Sequence, residues 1–131
     1  MKVAILYICT GKYKFFFKDF YESCEKYFLK DIAEVRYFVF TDDEKLTDAE
    51  NVKIIKKECK GFPMDSLLRF DMFLSLENEL KDFDYTFFFN ANMEFASPIG
   101  KEILPEKEGL AAVMHPGFFS KPSFMYPYER N

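Results

Sequence analysis

Five residues, Tyr85-Thr86-Phe87-Phe88-Phe89, and the polar triplet behind them, Asn90-Ala91-Asn92, constrain this chain more than any other stretch. Three consecutive aromatics after Tyr85 and Thr86 make a short strand with apolar side chains on both faces. Such a strand belongs in the middle of a sheet that is covered on both sides. The apolar run then stops at two amides spaced one residue apart. In an open α/β sheet, ligands bind beyond the carboxyl ends of the strands. On an extended segment, residues i and i+2 point to the same side. Asn90 and Asn92 are therefore placed to touch one ligand together. The competing reading is that asparagine ends strands because it tolerates turns.

The chain around this stretch has 131 residues, enough for one domain with a real core and small for an α/β enzyme. Hydrophobic residues make up 49% and charged residues 31%, which excludes a disordered chain. A formal net charge of −4 argues against general nucleic-acid binding, which needs a basic surface. Aromatic content of 20% without tryptophan points to a bulky core and aromatic pocket walls. Cys9, Cys24 and Cys59 are widely spaced, and an odd count suits a reducing, cytoplasmic setting. One histidine and scattered cysteines leave no zinc pattern. No apolar run reaches the ~20 residues of a membrane span. The Met1–Tyr7 start lacks the long apolar region and cleavage site of a signal peptide, so it reads as the first strand.

Taken in order, Val3 to Ile8 is a buried strand rich in β-branched residues. Cys9-Thr10-Gly11-Lys12-Tyr13 follows as a strand-to-helix turn. It holds the ingredients of an anion site: a glycine, a hydroxyl, a lysine and a helix start. An ordinary βα turn fits the same residues, since neither a P-loop nor GxGxxG is present. From about Tyr13 to Leu29, Phe17, Phe20, Tyr21, Cys24, Tyr27 and Phe28 recur at helical spacing. Val35 to Phe40 is a second strand, and Asp42 and Asp43 behind it read as a turn or a helix cap. Lys45 to Asn51 is a polar loop. Val52 to Cys59 is a charged strand expected near a sheet edge. Gly61 to Asp65 breaks the chain before a helix that Asp65 or Ser66 can cap, running to about Lys81. Arg69 lies early in that helix among apolar neighbours and needs an anionic partner; Asp65 or Asp71 would serve. After the Asn pair, Met93 to Ser97 is a short extended piece, and a turn of helix ends near Leu104. Leu110 to Met114 is a last strand, and Ser120 to Asn131 is irregular. Strands alternating with amphipathic helices predict a mainly parallel sheet with flanking helices in a single domain, residues 1–131.

These pieces also come in one recognisable order. Leu6-Tyr7-Ile8-Cys9-Thr10-Gly11-Lys12-Tyr13, Tyr37-Phe38-Val39-Phe40-Thr41-Asp42, Arg69, Asp84-Tyr85 before Asn90-Ala91-Asn92, His115-Pro116-Gly117-Phe118 and Tyr128-Glu129-Arg130 together resemble glycosyltransferase family 6. That is the family of the vertebrate blood-group A and B transferases and α-1,3-galactosyltransferase, with bacterial and phage members. The likeness spans almost the whole chain and is strongest to the bacterial branch, which carries Asn-x-Asn in place of Asp-x-Asp. It implies a GT-A, Rossmann-like α/β fold. It also implies a retaining transfer of Gal or GalNAc, in α-1,3 linkage, from UDP-Gal or UDP-GalNAc to an oligosaccharide acceptor of the galactoside type.

By the same resemblance, Ile8, Cys9, Thr10 and Tyr13 hold the uracil and ribose, Arg69 contacts the donor, and His115 lines the acceptor site. The Asp-x-Asp segment binds manganese in the family; here it is Asn90-Ala91-Asn92. Manganese is a hard cation that prefers carboxylate oxygens, and two neutral amides leave its charge uncompensated. The expectation is therefore donor binding with no metal cofactor, with Lys12 and Arg69 stabilising the leaving UDP. Family members continue beyond the Tyr-Glu-Arg segment into a region that holds the proposed catalytic carboxylate. This chain stops at Asn131, so its catalytic residue is unassigned and the fold is expected to be incomplete at that end. Glu94 reads as structural. A UDP-sugar-binding module or truncated fragment without transfer activity is the alternative. Sheet surface left uncovered would also favour self-association.

Overall fold

The computed structural model describes residues 1–105 and 109–113. Four parallel strands form its centre: β1 (Lys2–Ile8), β2 (Glu34–Thr41), β3 (Val52–Lys56) and β4 (Tyr85–Phe89). Their spatial order is β3-β2-β1-β4. Helix α1 (Phe17–Tyr27) connects β1 to β2, and three short helices, α2 (Met64–Leu67), α3 (Arg69–Leu74) and α4 (Glu77–Leu80), precede β4. This is the parallel α/β sheet with flanking helices that the alternation of elements predicts, and it matches the Rossmann-like, GT-A fold that the family resemblance implies.

The two-residue period of β1 divides the core. Val3, Ile5 and Tyr7 join α1 residues Phe17, Phe20 and Cys24 in one cluster. Ala4 and Leu6 join Phe38, Phe40, Met72 and Leu76 in the other. The sheet is thus covered by α1 on one face and by α2 to α4 on the other, which is why β1 carries apolar residues on both sides. Phe87 and Phe89 pack with the α1 cluster, and Phe88 with the opposite one.

Several boundaries differ from expectation. Strand β4 is an edge strand of the described sheet, not a central one, and Phe87 and Phe88 are only half-buried. Its aromatics bury their rings against the helices on both faces without needing a second neighbouring strand. Strand β3 lies at the other edge as expected, but it ends at Lys56 rather than Cys59. The first helix opens as a 3-10 turn, Gly11–Phe16, before becoming α-helical. It stops at Phe28, whose extended backbone makes a parallel bridge with Ile99; the Leu29 N–H donates to the Ile99 carbonyl at 2.8 Å.

The single helix expected from Asp65 to Lys81 is three pieces. Leu68 and Leu76 have ψ near 6°, outside the α-helical range. The Ser75 hydroxyl donates to the Met72 carbonyl, offering the backbone a partner other than the helical one. Met93 to Ser97 forms no strand. Nor do residues 110–113 of the expected last strand: Leu110 is 93% and Val113 91% exposed, and no described strand pairs with them.

Candidate functional site

The chain leaves β1 toward β2 on one side, while β4 arrives on the other side of β1. Strand order therefore reverses between β1 and β4, and the carboxyl ends of this pair are where an open α/β sheet forms a crevice. A cavity of about 390 Å³ lies there, within the ~300–1,000 Å³ usual for small-molecule sites. Three segments line it. The first is the end of β1 and its turn: Ile8, Thr10, Gly11, Lys12 and Tyr13. The second is the loop after β3 with the start of the following helices: Cys59, Gly61, Phe62, Asp65, Ser66 and Arg69. The third is the end of β4: Phe88, Asn90, Ala91 and Asn92.

Seven residues singled out from the sequence thus come together: Ile8, Thr10, Lys12, Tyr13, Arg69, Asn90 and Asn92. Cys9 does not. Its side chain is fully buried in the α1-side core, and burial pushes its thiol pKa up to about 12. Cys9 is absent from the cavity lining, and its backbone ties the end of β1 to β2. Its N–H donates to the Phe40 carbonyl, and its own carbonyl accepts the Thr41 hydroxyl at 2.9 Å. His115 lies outside the described residues. Glu94 lines a separate depression with Asp19, Glu22 and Lys26 of α1.

The amide pair reaches the cavity by a different geometry from the one expected. Residues 90–93 form a turn closed by the Met93 N–H on the Asn90 carbonyl at 3.2 Å. Both asparagines are exposed while Ala91 between them is buried. The turn is tied down from beneath by Tyr7, whose buried hydroxyl donates to the Ala91 carbonyl at 2.7 Å. Burial, first, and the neighbouring Cys9 raise the Tyr7 pKa well above its ordinary value, so the phenol stays a hydrogen-bond donor.

Arg69 is anchored by its Nε–H, which donates to the Ser66 carbonyl at 2.7 Å. Its guanidinium carbon sits 5.3 Å from the centre of the Phe88 ring, a cation–π placement. Neither Asp65 nor Asp71 pairs with it: among the described residues no ion pair involves Arg69 or Lys12. Two cations on different elements therefore border one cavity with charge to offer an anion.

Gly11 adopts φ +57°, and a Cβ there would stand 3.0 Å from the Cys59 sulfur, so the turn and the loop after β3 approach closely because glycine occupies this position. The Gly11 N–H donates to Asp42 Oδ1 at 2.8 Å, and Lys14 pairs with Asp43 at 3.1 Å. Asp42 and Asp43, read from the sequence as a turn or cap, hold the β1 turn in place. Sequence reasoning missed Tyr7, Cys59, Gly61, Phe62 and Phe88 as parts of the site, and it saw Asp65 and Ser66 only as helix caps. The one available signal was the Gly-Phe-Pro break in the chain.

The family model of glycosyltransferase family 6 matches residues 1–131. This chain belongs to glycosyltransferase family 6. Its similarity to the O-antigen biosynthesis glycosyltransferase WbnI of Escherichia coli is 41% identity over 132 residues, covering 99% of this chain and 56% of that protein. Globoside alpha-1,3-N-acetylgalactosaminyltransferase 1 is 28% identical in Mus musculus, over 141 residues, and 27% in Gallus gallus, over 140. Each of those alignments covers 99% of this family 6 chain and 39% of the relative. The chain thus spans roughly half the length of its bacterial relative and less of the vertebrate ones. Among the described residues, no helix is long and apolar enough to cross a membrane, and no three His, Cys, Asp or Glu side chains gather as a metal-binding group.

Proposed function

We propose that this chain forms the donor site of a retaining glycosyltransferase that moves Gal or GalNAc from a UDP-sugar to a galactoside-type acceptor, in α-1,3 linkage and without a divalent metal. The observation that carries the proposal is the cavity at the β1–β4 switch point, which joins the Thr10–Tyr13 turn, Arg69 and the Asn90–Asn92 turn. The names of the relatives support the linkage and sugar class: the mouse and chicken proteins are α-1,3-N-acetylgalactosaminyltransferases. A cytoplasmic setting belongs to the same proposal, supported by the free state of Cys9, Cys24 and Cys59.

In this reading the nucleoside lies along the β1 end and Tyr13, and the diphosphate meets Lys12 and Arg69. As the bond from the sugar C1 to UDP breaks, negative charge grows on the departing phosphate, and the two cations offset it. The acceptor oxygen bonds to C1 on the face that UDP leaves, and its proton passes to the departing phosphate oxygen. Manganese fits these residues poorly. The Asp-x-Asp positions are neutral amides, and hard cations prefer carboxylates. Asp65 is the one carboxylate that lines the cavity among the described residues, and protein donors already occupy its oxygens.

That same scarcity of carboxylates favours a second reading, a UDP-sugar-binding module without transfer. Incubation with UDP-Gal or UDP-GalNAc, a galactoside acceptor and EDTA, followed by mass spectrometry and linkage analysis, separates the two. An α-1,3-linked product supports transfer. Donor binding without product supports the module. Absence of donor binding contradicts both.

A further inference from the structure

We infer that Asp65 is a positioning residue that latches the two cationic sides of the cavity together. The inference rests on the reading of this cavity as a nucleotide-sugar site. The Thr10 hydroxyl, in the β1 turn, donates to Asp65 Oδ2 at 2.8 Å, across 55 residues of sequence. The Lys60 N–H reaches the same carboxylate at 3.1 and 3.2 Å, and the Gly61 N–H at 3.1 Å. In return, the Asp65 N–H donates to the Gly61 carbonyl at 3.0 Å. One carboxylate thus binds the β1 turn, the loop after β3 and the first turn of α2.

Its neighbours show what the latch sets. Lys12 lies two residues beyond Thr10, and Arg69 four residues beyond Asp65. The separation of the two cations, which must match a diphosphate, therefore depends on the Thr10–Asp65 bond. The close approach of Gly11 to the Cys59 sulfur is a second contact between the same two segments. Partial burial opposes ionisation of Asp65, but the donors from Thr10, Lys60, Gly61 and Cys59 outweigh it and hold the carboxyl below its ordinary value. The charge persists at neutral pH and is spent on protein donors, not on a bound cation. A charge-assisted hydrogen bond also aligns its partners more strictly than a neutral one.

The test is a double-mutant cycle in UDP affinity, by calorimetry in EDTA, on the full chain: wild type, Thr10→Val, Asp65→Asn and the double variant, each with its melting temperature. The expected result is a loss of about tenfold or more in each single variant, with the double variant no worse than the weaker single one. Loss of affinity in variants that melt near the wild-type temperature marks positioning, because a structural role alone would move the melting temperature and leave the affinity of folded molecules intact. If Asp65→Asn does not fold, Asp65→Glu, which displaces the carboxylate, takes its place in the cycle: losses coupled to those of Thr10→Val support the latch, and unchanged binding overturns it. Additive losses, or affinities equal to wild type, also overturn it. Failure of the wild-type chain itself to bind UDP overturns the site reading and the latch with it, and is told apart by occurring before any substitution.

Discussion

Tyr7 joins the core to the site through a single atom. Its ring stacks on Phe20 with centroids 4.3 Å apart and meets Phe17 edge-on at 5.7 Å, while its hydroxyl holds the Ala91 carbonyl. Tyr7→Phe keeps the ring and strands a buried acceptor. The expected cost is about 1–3 kcal/mol in urea unfolding, with weaker UDP binding as the Asn turn loses its tether. An unchanged unfolding midpoint would contradict this role. At Arg69 the expectation concerns affinity instead: Arg69→Ala should lower UDP affinity at least about tenfold, in calorimetry, while the fold persists, because among the described residues its side chain hydrogen-bonds only a carbonyl three residues away. Equal affinity would remove Arg69 from the site. The sequence exposed Arg69 because a cation among apolar residues asks for a partner, and Lys12 because it shares a strand-to-helix turn with a glycine and a hydroxyl. It could not expose Tyr7, Asp65 or Asp42 in the same way. Their partners lie 84, 55 and 31 residues away, and no local pattern records such pairings.

The elements were more legible than their ends. All four strands of the sheet could be read, since a run of β-branched and aromatic residues bounded by turn residues marks a strand wherever it packs. The helix limits depended on contacts that no window of sequence contains. Phe28 leaves α1 for the bridge with Ile99, where its ring packs against Phe87, Phe89 and Phe95. The Leu68, Met72, Leu76 and Leu80 spacing fits one long helix, yet the backbone breaks at Leu68 and Leu76, while all four side chains still pack on the same face of the sheet. Strand β4 reads as central because its side chains are apolar on both faces. Burial by helices produces that pattern as well as a second neighbouring strand does. The turn after β1 allows a direct check at this scale. Gly11→Ala forces a Cβ toward the Cys59 sulfur at a φ of +57°. The expected loss is about 1–2 kcal/mol of stability in urea unfolding, accompanied by weaker UDP binding. A variant as stable as the wild type would show that the turn can relax without its glycine.

At the scale of the whole molecule, burial makes stability depend on alkaline pH. The Cys9 and Cys24 thiols are both pushed up to about 12 by burial, from an ordinary value near 9. Between those limits the unfolded chain releases these protons while the folded chain retains them. Their contribution is therefore complete below pH 9 and is lost as pH rises toward 12, by up to about 1.4 kcal/mol per pH unit for each thiol. Thermal melts followed by circular dichroism should show the melting temperature falling steadily above pH 9; a flat profile to pH 11 would contradict it. In the proposed nucleotide site, two cations and two amides border the cavity and no metal is needed. Such a site is tested most directly by calorimetric titration of the chain with UDP, first in EDTA and then in excess Mn²⁺. Equal binding in both conditions is expected. Binding that appears only with Mn²⁺ would contradict the metal-free site, and absence of binding in both would contradict the donor site itself.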